Sequence, residues 1–89
     1  MKVVVTIPAY NEERTLGSVL KEIKKVMNAS KYSYKILVVD DGSSDRTAEI
    51  AKQEGVIVVS HPLNYGLAET FRTEMLKCIE LGAEWIYLI

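Results

Sequence analysis

The stretch KILVVDDGSSDRT, Lys35 to Thr47, decides the fold. Ile36, Leu37, Val38 and Val39 form an unbroken apolar run, the pattern of a strand buried on both faces. The run empties onto Asp40 and Asp41. A Gly42-Ser43-Ser44 turn follows, then a third acid, Asp45. Three carboxylates within six positions repel one another unless each is hydrogen-bonded or used. Ser43 or Ser44 supplies a cap for a helix over roughly 45–54, which Gly55 ends.

The same alternation continues in both directions. Upstream, Val3-Val4-Val5-Thr6-Ile7 reads as a strand that stops at Pro8. From Asn11 the period becomes helical. Leu16, Val19, Leu20, Ile23, Val26 and Met27 line one face, and Lys21, Glu22, Lys24 and Lys25 cover the other. Asn11 is expected as the N-cap, with Glu12 and Glu13 at the positive end of the helix dipole. Downstream, Val56 to Val59 is a third strand and His61 to Gly66 a loop. A third helix is expected to bury Leu67, Ala68, Phe71, Met75, Cys78 and Ile79, and Gly82 ends it. Trp85 to Ile89 begins a fourth strand.

Apolar strands separated by amphipathic helices define an α/β fold: a doubly wound, Rossmann-like parallel sheet with three helices. The expected strand order is 3-2-1-4. Ligands of such sheets bind beyond the carboxyl ends of the strands, at the point where the strand order reverses. Here those ends carry Pro8 to Glu12, Asp40 to Ser43, and Ser60-His61.

Bulk properties narrow the function. Eighty-nine residues make a single domain, 1–89. A net charge of −1 with interspersed signs gives no footprint for nucleic acid. The lone Cys78 excludes an internal disulfide and any multi-cysteine metal cluster, and it is expected in the core. No segment has the ~18 apolar residues of a membrane span, and the N-terminus lacks a signal-peptide pattern. The expected location is cytoplasmic, with a peripheral membrane role left open.

The acids after the second strand have two functional readings. One is hydrogen bonding to a nucleoside, and the other is Mg²⁺ or Mn²⁺ ligation by hard oxygens. Against these stands local capping of the turn and helix, which is expected of Asp40 and Asp45 more than of Asp41. A response-regulator receiver is excluded, because no Asp follows Asp45 to accept a phosphoryl group. No G-x-G-x-x-G or P-loop motif is present. His61 stands at a strand end with no partner evident in the sequence and is not expected to be catalytic.

Ile7-Pro8-Ala9-Tyr10-Asn11-Glu12 and Val38-Val39-Asp40-Asp41-Gly42-Ser43-Ser44-Asp45 resemble family 2 glycosyltransferases of the GT-A fold. The segment Asn64-Tyr65-Gly66-Leu67-Ala68, with Arg72 beyond it, resembles a third element of that family. Dolichol- and polyprenyl-phosphate mannosyltransferase-like members are the nearest in character. The resemblance implies hexose transfer from a nucleoside-diphosphate sugar, UDP- or GDP-linked, to an acceptor. It implies a nucleoside pocket at Pro8, Tyr10, Glu12, Val39 and Asp41. Gly66 and Arg72 are candidates for the diphosphate side, against a turn end at Gly66 and a surface ion pair at Arg72. The resemblance also implies a divalent metal, Mg or Mn, held by a D-x-D motif expected just after Ile89. On that expectation no metal ligand and no catalytic residue lies within 1–89, and the sequence is the N-terminal piece of a longer protein. A non-catalytic binding or assembly module of the same shape is the alternative. The apolar fourth strand is further expected to promote self-association through its edge.

Overall fold

The computed structural model describes all 89 residues, Met1–Ile89. Four strands and three helices alternate: β1 (Lys2–Ala9), α1 (Leu16–Asn28), β2 (Ser33–Asp40), α2 (Thr47–Gln53), β3 (Ile57–Ser60), α3 (Leu67–Glu80) and β4 (Trp85–Leu88). The sheet is parallel throughout and ordered β3-β2-β1-β4, as the sequence predicts.

Side-chain alternation along the strands builds two cores. Val3, Val5, Ile7 and Ala9 of β1, with Ile36 and Val38 of β2, pack against Leu16 and Leu20 of α1 and Ala51 of α2. Val4, Leu37 and Val39 face the other way and meet Cys78 of α3. Complete burial of a side chain such as Leu20 or Leu37 contributes about 1.5–3 kcal/mol each. The two central strands thus carry both cores, which is why their sequences are apolar without alternation.

Four local expectations are corrected. β1 continues through Pro8 to Ala9. The Lys2 and Thr6 carbonyls accept from Glu84 and Ile89. By strand alternation the missing Pro8 N–H therefore faces the β4 side, past the last paired residue, Thr6 with Leu88. α1 begins at Leu16 rather than near Asn11, and no acid lies in its first turn. Asn11 instead takes a positive φ of 51°, tolerated by its short polar side chain. α2 begins at Thr47, and neither Ser43 nor Ser44 caps it. Finally, α3 is rolled relative to its expected face. Thr70, Glu74 and Cys78 are buried, while Leu67, Phe71 and Ile79 are 80%, 49% and 72% exposed. Thr6 Oγ1 donates to the buried Glu74 carboxylate at 2.5 Å, and His61 bonds Thr73, so the face of the helix turned to the sheet carries polar contacts.

Candidate functional site

The carboxyl ends of β1 and β2 are extended by two loop hydrogen bonds. Asp41 N–H donates to the Ala9 carbonyl at 2.9 Å, and His61 N–H to the Asp40 carbonyl at 2.8 Å. The pairing of Asp40 with Ser60 then brings residue 61 alongside residue 41. The loops above the sheet are clasped together. Asn11 Oδ1 accepts from Ser44 N–H at 2.9 Å, and Asn11 N–H donates to Ser43 Oγ at 2.8 Å. Glu12 N–H donates to Thr47 Oγ1 at 2.8 Å, and Glu13 N–H to Asp45 Oδ2 at 3.3 Å.

The three acids separate by partner. Asp40 Oδ1 accepts from Ser43 N–H at 3.1 Å, closing the turn. Asp45 Oδ1 accepts from Thr47 N–H at 2.9 Å and from the Thr47 hydroxyl. Burial alone would raise the pKa of Asp45, but the bonds from Thr47 and from the Glu13 N–H outweigh it and hold the pKa below the ordinary value. Both acids are capping groups.

Asp41 is engaged at long range. Its Oδ1 accepts from Tyr65 N–H at 2.9 Å and from His61 Nδ1 at 2.7 Å, and its Oδ2 accepts from Gly66 N–H at 2.9 Å. The carboxylate therefore sits at the N-terminus of the 14-residue α3, where the helix dipole favours a negative charge. Burial pushes its pKa up, but the hydrogen bonds from His61, Tyr65 and Gly66 overcome this and lower it, leaving Asp41 ionised. A carboxylate offers about four acceptor positions, and Oδ2 has used only one of its own.

Asp41 also lines a small cleft of about 160 Å³ with Pro8, Ala9, Tyr10, Glu12, Leu67 and Thr70. Complete ligand pockets run from ~300 to 1,000 Å³, so this cleft accommodates part of a ligand. Two larger grooves flank β4 on its α1 side, but each has a single polar residue, Glu22 or Ser30. They lack the convergent polar groups that orient a bound molecule.

Of the residues expected at the site, Pro8, Tyr10, Glu12 and Asp41 come together around this cleft. Tyr10 is 47% exposed. Val39 does not join them, because its side chain is buried in the α3-side core. Gly66 has a positive φ of 97° and feeds its N–H to Asp41, but a Cβ there would meet nothing within 4 Å. The close approach belongs to Gly42, where a Cβ would lie 2.3 Å from the Leu63 carbonyl carbon. Arg72 lies on the exposed face of α3, with Nη1 3.7 Å from Glu69, and does not line the cleft. His61, for which the sequence shows no evident partner, has two: Asp41 and Thr73. Gly42, His61, Thr47 and Thr73 were not legible as site-building residues, although the parallel register next to Asp41 is a signal that points to His61.

The acids do not gather as a metal cage. No group of three or more His, Cys, Asp or Glu side chains is placed to hold a cation. Asp40 and Asp45 direct oxygens to Ser43 and Thr47, so the reading of these acids as paired Mg²⁺ or Mn²⁺ ligands does not fit, and the D-x-D that the resemblance implies lies outside these residues.

A parallel 3-2-1-4 sheet with a polar crevice at the ends of β1 and β2 defines a doubly wound, Rossmann-like α/β protein. Residues 4–78 match the model of the family described as Glycosyl transferase family 2, and the chain belongs to that family. It is 50% identical over 78 residues to an uncharacterized protein of Methanocaldococcus jannaschii, covering 86% of this chain and 29% of that one. It is 40% identical over 68 residues to undecaprenyl-phosphate 4-deoxy-4-formamido-L-arabinose transferase of Edwardsiella ictaluri, covering 70% of this chain and 21% of the relative. Among solved structures it resembles glucosyl-3-phosphoglycerate synthase from Mycobacterium tuberculosis, crystallised with Mn²⁺, uridine diphosphate and glucosyl-3-phosphoglycerate. The TM-score is 0.71 at 29% identity, over 85% of this chain and 29% of the other. The chain thus spans under a third of the length of these relatives. No helix is long and apolar enough to cross a membrane.

Proposed function

We propose that this chain forms the nucleoside-recognising part of a glycosyltransferase donor site. The donor is a nucleoside-diphosphate sugar, UDP- or GDP-linked, and the whole protein passes its hexose to an acceptor such as a polyprenyl phosphate or another sugar. The observation that carries the reading is Asp41, buried, ionised and held by three donors, yet with acceptor capacity left on Oδ2 beside a cleft.

An ionised carboxylate accepts from an N–H donor, and both uracil and guanine present ring N–H groups along one edge. A charge-assisted bond of this kind is shorter and stronger than a neutral one. Fixing the carboxylate beforehand lowers the ordering cost of binding. The exposed Tyr10 ring offers a face for base stacking, typically ~1–3 kcal/mol per base. Glu12 places a second acceptor on the same cleft, suited to ribose hydroxyls. Pro8 and Ala9 form the wall, and Val39 supports Asp41 from the core. We assign neither a metal ligand nor a bond-making group to this chain.

The undecaprenyl-phosphate transferase and the uridine-diphosphate complex among the relatives support the substrate class. A polyprenyl acceptor would place the whole protein at the cytoplasmic membrane surface. We also propose that the unpaired edge of β4 mediates self-association of this chain. Titration of ¹⁵N-labelled protein with UDP and GDP tests the site directly. Amide shifts should cluster at Tyr10, Glu12, Gly42 and Gly66. Shifts confined to the β4 grooves would refute the assignment.

A further inference from the structure

The two nitrogens of His61 are both occupied by side chains. Nδ1 lies 2.7 Å from Asp41 Oδ1, and Nε2 lies 2.7 Å from Thr73 Oγ1. Asp41 as a carboxylate only accepts, so Nδ1 carries the proton of that bond. In the neutral ring Nε2 then accepts from the Thr73 hydroxyl, which fixes the tautomer. With the side chain about 10% exposed and absent from the wall of the cleft, the imidazole is not placed to take a proton from a ligand there.

Its geometry suits another task. The torsion that turns an Asp carboxylate is broad, so nothing intrinsic holds its oxygens in place. Two of the three donors to Asp41 come from the loop preceding α3, at Tyr65 and Gly66. His61 is the third, and it is anchored to regular structure twice. Its backbone N–H bonds the Asp40 carbonyl at the end of β2, and its ring is held by Thr73 within α3. The Tyr65 ring lies 5.1 Å away, tilted by 44°, and covers the imidazole. The chain Thr73–His61–Asp41 therefore ties the orientation of one carboxylate to the sheet and to α3 together.

We propose that His61, held by Thr73, is a positioning residue that orients Asp41 for a nucleoside N–H. This rests on the donor-site reading above. It goes beyond that reading by assigning nucleotide affinity to a residue outside the cleft, acting through Asp41. His61 fixes Oδ1 and thereby aims the unused position of Oδ2, while Thr73 sets which ring nitrogen bears the proton.

The test compares UDP and GDP binding, by calorimetry on the 89-residue chain, among wild type, His61→Ala, His61→Asn and Thr73→Val. Loss of one charge-assisted hydrogen bond predicts about tenfold weaker binding in His61→Ala. His61→Asn, whose side-chain amide donates from near Nδ1, should recover binding to within about threefold. Thr73→Val, close in shape to the original, should weaken binding by about threefold without changing the circular dichroism spectrum. A long-range ¹H–¹⁵N spectrum of the wild type should show His61 protonated at Nδ1, with that resonance moving when nucleotide is added.

Wild-type binding with His61→Ala within twofold of it would overturn the positioning role and leave the donor-site reading standing. Wild type binding neither nucleotide would overturn the donor-site reading and this inference with it. If His61→Ala does not fold, Thr73→Val decides: weakened binding supports the proposal, and unchanged binding overturns it. An Nε2-protonated ring in the wild type also overturns it.

Discussion

Gly42→Ala is the substitution whose cost is most fully specified by the structure. Gly42 has φ +73°, in the left-handed region, and its missing side chain leaves room for the chain at residues 63 and 64. A Cβ there would lie 2.3 Å from the Leu63 carbonyl carbon and 2.6 Å from both the Leu63 oxygen and the Asn64 nitrogen. All three are backbone atoms, so no rotamer change relieves the contact. The left-handed conformation costs about 1–2 kcal/mol for a residue with a Cβ. Overpacking against backbone adds about 1–3 kcal/mol. Their sum, roughly 2–5 kcal/mol, lowers the melting temperature of a domain this size by roughly 8–40 °C. Gly55→Ala is the control, since φ is +75° there but nothing lies within 4 Å of the added carbon. It should lose only the conformational part, about 1–2 kcal/mol. Thermal unfolding followed by circular dichroism measures both. Equal losses in the two variants, or a Gly42→Ala change within about 2 °C of wild type, would refute the close-approach reasoning.

Further expectations concern charge and the sheet edge. The folded pKa of Asp41 lies below its ordinary 3.8, so its contribution to stability is complete above that value. The contribution is lost as pH falls through the lower folded value, and urea midpoints should show this loss in wild type but not in Asp41→Asn. A wild-type slope unchanged by the substitution would count against the three-donor description. Glu74 behaves in the opposite sense, because burial raises its pKa despite the Thr6 bond. Its contribution is present below the ordinary 4.5 and lost as pH rises through the raised folded value. Glu74→Gln keeps an acceptor for Thr6 and should raise the melting temperature at neutral pH, with the gain vanishing in acid; a lower melting temperature at pH 7 would contradict this. Every residue of β4 is exposed, and one edge of that strand is unpaired. Sedimentation should therefore show concentration-dependent dimers, which Ile86→Lys weakens; a monomer at all concentrations would oppose the proposal.

Much of this architecture was legible because the apolar pattern is simple. Val3 to Ile7 and Ile36 to Val39 carry both cores, so their strand assignment follows from composition alone, and the order 3-2-1-4 is the one expected of a doubly wound sheet. The helix starts were not legible. Asn11 has the chemistry of an N-cap, but it spends its side chain on Ser44 across the neighbouring loop, a contact 33 positions away. The face of α3 failed for a related reason. Leu67, Phe71 and Ile79 form a convincing stripe, yet the side that meets the sheet is the one on which Glu74 bonds Thr6 and Thr73 bonds His61, contacts that no local pattern shows. At the site, Asp41 was legible from its place at a strand end. Its partners were not, since Tyr65, Gly66 and His61 approach it from 20 to 25 residues away. Arg72 is exposed with Nη1 3.7 Å from Glu69, the surface pair that was the alternative reading of its place in the motif.

The central claim is that Asp41 is a preorganised acceptor for a nucleoside. Isothermal titration of wild type and Asp41→Ala with UDP and with GDP, in the presence and absence of Mn²⁺, tests it most directly. Wild type should bind at least one nucleotide with a dissociation constant of about 1 mM or tighter. Asp41→Ala should lose this binding while keeping its helical circular dichroism. No heat from either nucleotide, or equal affinity in the two proteins, would contradict it.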